Sequence, residues 1–136
     1  MTTVTKSPSL LALRVLASLT AIGAIAQTIL GLTLLGGGNP SVHRILAMTV
    51  FALSVLAALA AVVWMRPSGN KGLMFHAIGV GLIALIQIGL GEGGAVTGPM
   101  TWVHLILGVL FLVAAIALAT LSIRKPVPSH RAPAAS

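Results

Sequence analysis

Gln27-Thr-Ile-Leu-Gly-Leu-Thr-Leu-Leu-Gly-Gly-Gly-Asn39-Pro40-Ser-Val-His43-Arg44-Ile-Leu-Ala47 is the stretch that decides how this chain is read. An apolar run ends in a glycine cluster, and Asn39-Pro40 then starts a new helix. Asn suits the cap, and Pro suits the first turn, where its missing N–H costs nothing. The apolar run upstream begins near Leu10, and the one downstream continues to Met65. Each exceeds the ~20 predominantly apolar residues that cross a bilayer. The stretch therefore reads as the tight turn between two membrane helices.

The pattern recurs about 60 residues further on. Gln87-Ile-Gly-Leu-Gly, a Gly/Pro turn and Val103-His104-Leu-Ile-Leu-Gly108 repeat Gln27-Thr-Ile-Leu-Gly-Leu, the turn, and Val42-His43-Arg-Ile-Leu-Ala47. Four spans follow, at about 10–35, 41–65, 72–90 and 100–123. The expected fold is an all-α membrane protein: a four-transmembrane-helix, up-down-up-down bundle made of two tandem helix-hairpin repeats. Residues 1–125 form one transmembrane domain, and the Pro/Ala/Ser-rich residues 126–136 read as a disordered cytoplasmic tail. Ala24-Ile-Ala26 resembles a signal-cleavage site, but the apolar run continues to Leu35, so the first segment reads as a retained span.

Of the 136 residues, 57% are hydrophobic and 7% charged, with a mean hydropathy of +1.10. No ordinary soluble domain is this apolar, and the spans leave no room for a soluble catalytic domain. The net charge of +7 would suggest nucleic acid in a soluble protein. Here the basic residues flank the spans, so they report topology, and no nucleic-acid partner is expected. With four crossings, Lys6, Arg14, Arg66, Lys71, Arg124, Lys125 and Arg131 fall on one side, and Arg44 lies with Glu92 on the other. The charge bias puts both termini in the cytoplasm and the histidine-bearing turns outside. The expected location is a bacterial cell membrane, as a multi-pass protein in contact with the lipid bilayer. Trp64 and Trp102 fit interfacial belts on opposite sides. The absence of cysteine excludes a thiolate metal site, a disulfide and covalent haem attachment.

His43 and His104 carry the chemistry. They lie about one turn inside their helices, on different helices that run in the same direction, at matching depth. Imidazole suits iron, and haem takes axial ligands on opposite faces of its ring. One turn below each histidine stands a small residue, Ala47 or Gly108, on the same helix face. Such residues clear space for a porphyrin, although they also serve as plain helix contacts. Gly31, Gly89 and Gly91 offer similar clearance on the other two helices. Arg44 suits a haem propionate. Gln27 and Gln87 read either as interhelical hydrogen-bond donors or as partners of a haem edge or of a ligand histidine. Thr33 and Thr97 read as bonded to their own backbone. Glu92 is either solvated or paired with Arg44. His76 has no counterpart at its depth, which argues for one haem rather than two. It reads as an interfacial or backbone-bonded histidine, or as a proton or quinone contact. His130 reads as solvated.

The motifs His43-Arg-Ile-Leu-Ala, Gln27-x-x-Leu-Gly-Leu-Thr33 and Gln87-Ile-Gly-Leu-Gly…Trp-Val-His104-Leu resemble those of the haem A synthase family. Over roughly Ala21 to Ile123 the chain resembles one four-helix half of that family, whose halves carry histidines on their second and fourth helices near the outer face. Pro40 stands where the family's catalytic half has a glutamate one turn before the His-Arg motif, and the outer-loop cysteine pair and the second half are absent. The expectation is a membrane b-type haem-binding protein with one bis-histidine haem, haem B, near the outer face. It would serve electron transfer or haem handling, with a quinol or respiratory-complex partner, and a homodimer would supply two sites. No residue is assigned a catalytic role. Two alternatives stay open: a half-size haem A synthase-like oxygenase, and a cofactor-free accessory subunit of a respiratory membrane complex.

Overall fold

The computed structural model describes residues 7–92 and 98–125. They form four helices: α1 (Pro8–Leu35), α2 (Pro40–Ser68), α3 (Lys71–Glu92) and α4 (Pro99–Arg124). All four are long and apolar enough to cross a membrane, and large apolar side chains such as Leu11, Ile22, Phe75 and Ile106 face outward. In lipid a helix satisfies its own backbone hydrogen bonds, which is why an apolar run of this length folds this way.

The helix boundaries follow local chemistry. Pro40 and Pro99 occupy the first turns of α2 and α4, and the Asn39 side chain accepts a hydrogen bond from the Ser41 N–H at 2.9 Å. Gly69 ends α2 in the left-handed region, at φ +68°, and its N–H caps the Met65 carbonyl at 2.7 Å. A side chain at that φ would be strained. Asn70 then caps α3, accepting from the Leu73 N–H at 3.0 Å. The tail from 126 to 136, with His130 and Arg131, lies outside the described residues, as do Lys6 and Thr97.

Each helix touches two others. α1 packs on α2 and α4, α3 packs on α2 and α4, and among the described residues the backbones of neither diagonal pair come into contact. Gly31 and Gly23 of α1 meet His43 and Val50 of α2, so falling numbers on α1 face rising numbers on α2 and the two helices run antiparallel. The α1–α4 seam is closed by Arg14, which donates to the carbonyls of Ser122 at 3.2 Å and Lys125 at 2.6 Å. These belong to the last turn of α4, where backbone acceptors lack helical partners.

The core is built of small residues, among them Ala17, Ala21, Ala57, Ala61, Ala77 and Ala115. Without a hydrophobic drive between helices in lipid, close backbone approach supplies the packing. The closest approach is at Gly23, where an added Cβ would lie 2.5 Å from Val50 Cγ2. The buried hydroxyls of Thr20, Ser54 and Ser122 bond back to carbonyls of their own helices. Trp64 and Trp102, both expected in interfacial belts, differ in burial. Trp64 is 3% exposed and fills volume inside the bundle, whereas Trp102, 69% exposed, faces out.

Burial is uneven along the bundle. At the end formed by Pro8, Ser68, Lys71 and Arg124, buried residues reach almost to the helix termini, with Leu10, Trp64, Leu73 and Ser122. At the other end, no residue is buried between Ile25 and Leu35, Pro40 and Thr49, Leu85 and Glu92, or Pro99 and Leu110. The two are called here the terminal end and the histidine end.

Candidate site at the histidine end

The loosely packed end holds both candidate ligands. His43, in the first turn of α2, and His104, in the second turn of α4, extend from diagonal helices and meet across the interior. Their ring centres are 6.5 Å apart, with the planes inclined at 63°. The backbones of α2 and α4 are not in contact, so the side chains alone bridge the diagonal. The distance has a chemical meaning. Two imidazoles bound to one metal at about 2 Å each place their ring centres roughly 6 Å apart.

Each ring rests on a glycine of the preceding helix. A Cβ at Gly31 would lie 3.4 Å from His43 Cε1 and 3.9 Å from its Nδ1, and a Cβ at Gly91 would lie 3.9 Å from His104 Cε1. The two glycines occupy equivalent positions in the repeat, so the same device operates twice. No atom contacts the space beside Gly89 within 4 Å. The Nδ1 atoms of both histidines are buried and have no hydrogen-bond partner, while the Nε2 atoms are not among the buried unpartnered groups.

The two glutamines lie four residues before these glycines, on the same helix faces. Gln87 Nε2 donates to the backbone carbonyl of His104 at 2.9 Å, so it ties α3 to the turn that carries the ligand candidate. It lies over Gly108, where a Cβ would come within 3.3 Å of Nε2. Gly108 thus makes room for Gln87 rather than lying bare. Among the described residues Gln27 forms no matching bond. At the position equivalent to Gly108 the first repeat carries Ala47. The Oε1 atoms of both glutamines are buried without partners. An unpaired buried polar atom is costly, and four of the five such side-chain atoms belong to this quartet, the fifth being Trp64 Nε1.

Arg44 and Glu92 form an ion pair at 2.5 Å across the α2–α3 seam, both partly exposed. Their repeat equivalents are Leu105 and Leu32, so the opposite seam carries no charge at this level. His76 lies away from the pair, and its Nε2 bonds to the Ala114 carbonyl of α4 at 2.9 Å. Thr33 bonds to the Leu30 carbonyl of its own helix at 2.7 Å.

Among the described residues, no cluster of three or more His, Cys, Asp or Glu is placed to hold a metal ion. Two imidazoles alone suit a metal that arrives with its other ligands attached. The donor type and the ring separation match what a haem iron uses. The uneven burial follows the small residues, because most of the buried alanines lie in the terminal half of the bundle. Comparison with protein-family models, curated proteins and solved structures returns no match.

Proposed function

We propose that this chain is a membrane cytochrome of b type, with His43 and His104 as axial ligands to one haem. The observation that carries the reading is the approach of two repeat-equivalent imidazoles to 6.5 Å at the end of the bundle where none of the described residues is buried. In this reading the fold is an up-down-up-down bundle of two tandem hairpins in a bacterial cell membrane. The Lys and Arg that crowd the terminal end support a reading with cytoplasmic termini and the haem near the outer face.

Bound haem would supply one-electron redox chemistry, tuned by its axial ligands and its exposure. The chain's own residues then have separate duties. Gly31 and Gly91 leave room for the edges of the imidazoles against α1 and α3. Gln87 holds the His104 turn in place. Arg44 has a choice of carboxylates, Glu92 or a propionate. The resemblance to half of a haem A synthase supports the same site. Without a glutamate at position 40, that resemblance favours binding and electron transfer over hydroxylation.

The test is the absorbance of the purified protein, oxidised and dithionite-reduced, with His43→Ala and His104→Ala beside it. A low-spin six-coordinate spectrum that each substitution abolishes is expected. Protein made with ample haem that lacks a Soret band, or a spectrum indifferent to either substitution, refutes the reading. A hydroxylated haem in the pigment extract would point instead to the oxygenase. Iron-free protein co-purifying with a respiratory complex would point to the accessory subunit.

A further inference from the structure

A second set of polar groups faces a cavity at the opposite end of the bundle. The cavity, about 250 Å³, lies between the start of α3 and the end of α4 and is lined by Asn70, Gly72, Leu73, His76, Leu121 and Lys125. Hydrogen-bond logic assigns the roles of its polar groups. His76 Nε2 lies 2.9 Å from the Ala114 carbonyl, which can only accept, so Nε2 carries the proton. In a neutral imidazole the other nitrogen is then an acceptor with a lone pair. His76 Nδ1 is not among the buried unpartnered atoms, and the ring lines the cavity. Asn70 spends its Oδ1 on the Leu73 N–H, which leaves its amide N–H groups to donate. Lys125 adds a cation that only donates. The cavity therefore offers one acceptor and two donors, above the apolar side chains of Leu73 and Leu121.

From this arrangement we infer that the cavity binds the headgroup of a hydroquinone. One ring hydroxyl donates to His76 Nδ1, the oxygen across the ring accepts from Lys125 or Asn70, and the apolar tail runs along Leu121 into lipid. A phosphodiester group has the charge to suit Lys125, but its own oxygens only accept, so the phosphate itself cannot pair with His76 Nδ1. Gly72 adds no side chain, so nothing on that residue fills the mouth. The cavity is about 16 Å from the level of the glutamines, at 1.5 Å per residue along α3. The inference does not rest on the haem reading, since it concerns binding alone.

The experiment uses the full chain in phosphatidylcholine nanodiscs, with decylubiquinol as the probe. Saturable binding is expected. His76→Phe, which removes the acceptor, should weaken it about tenfold. His76→Gln should keep it, because an amide can donate to Ala114 and still accept from the ligand. Leu121→Trp fills the cavity from its exposed rim without disturbing buried residues, and should abolish binding. No saturable binding by the unmodified chain overturns the inference. So do equal affinities for the unmodified chain and His76→Phe, and competition by phosphatidylglycerol that matches decylubiquinol itself. Should His76→Phe fail to fold, the contrast between Leu121→Trp and His76→Gln decides. A visible spectrum unaltered in these variants would keep this site separate from the histidine pair.

Discussion

Gly23→Ala adds one methyl group at the closest approach of α1 and α2. That carbon would lie 2.5 Å from Val50 Cγ2, whereas carbons in good contact stand about 3.5–4.0 Å apart. Val50 is 2% exposed and β-branched, so its χ1 is restricted and its methyl groups have little room to turn. The helices must separate by about 1 Å, or Val50 must leave its rotamer. Overpacking of this kind costs about 1–3 kcal/mol, and the better helix propensity of alanine returns up to about 1 kcal/mol. The net loss should be about 0–2 kcal/mol, which alone is a weak test. The stronger one is the cycle with Val50→Ala. That substitution removes the clashing methyl groups, so Gly23→Ala in its background should be neutral or stabilising. A coupling of about 1–3 kcal/mol is expected, against the additivity seen for independent sites. Reversible unfolding in mixed micelles of increasing dodecyl sulfate, followed by far-ultraviolet circular dichroism, measures all four proteins. Additive effects within about 0.5 kcal/mol would refute the close approach of these helices.

Three further outcomes follow from the histidine end. Gly108→Ala places a methyl 3.3 Å from Gln87 Nε2. Gln87→Ala should therefore cost about 1 kcal/mol in the native background and close to nothing in Gly108→Ala, by the same unfolding assay. Gly31→Val puts branched carbon against the His43 ring, already 3.4 Å from the Cβ position. It should shift or abolish a bis-histidine spectrum while Gly89→Ala, in open space, leaves it unchanged. Arg44→Ala and Glu92→Ala break an exposed ion pair and should each change stability by about 1 kcal/mol or less; a larger change, insensitive to salt, would show that the pair is part of the packing.

Helix existence and placement were legible because they rest on short-range rules. The spans read from the sequence begin and end within three residues of α1 to α4, since apolar length, Asn39-Pro40 and Pro99 act locally. The candidate ligands were legible for a different reason: a repeat converts spacing along the chain into equivalence in space. It singled out His43 and His104, and the structure brings their rings together. That Trp64 faces the bundle was not legible, because an indole is amphipathic and its position near a helix end is the same whether it faces lipid or the bundle.

What sequence alone determined, then, is the set of apolar helices, their caps, the charge at each end and the pairing of residues by the repeat. Each depends on residue type or on spacing within one helix. Which side chain occupies a given space was decided only by tertiary structure. Gly108 and Ala47 look interchangeable in the repeat, yet the structure seats Gln87 over Gly108 and bonds it to the His104 carbonyl, a bond that Gln27 does not match among the described residues. Alanine is concentrated in the terminal half of the bundle, but which residues are buried there comes from how four apolar surfaces meet, and burial depends on the neighbours a residue acquires.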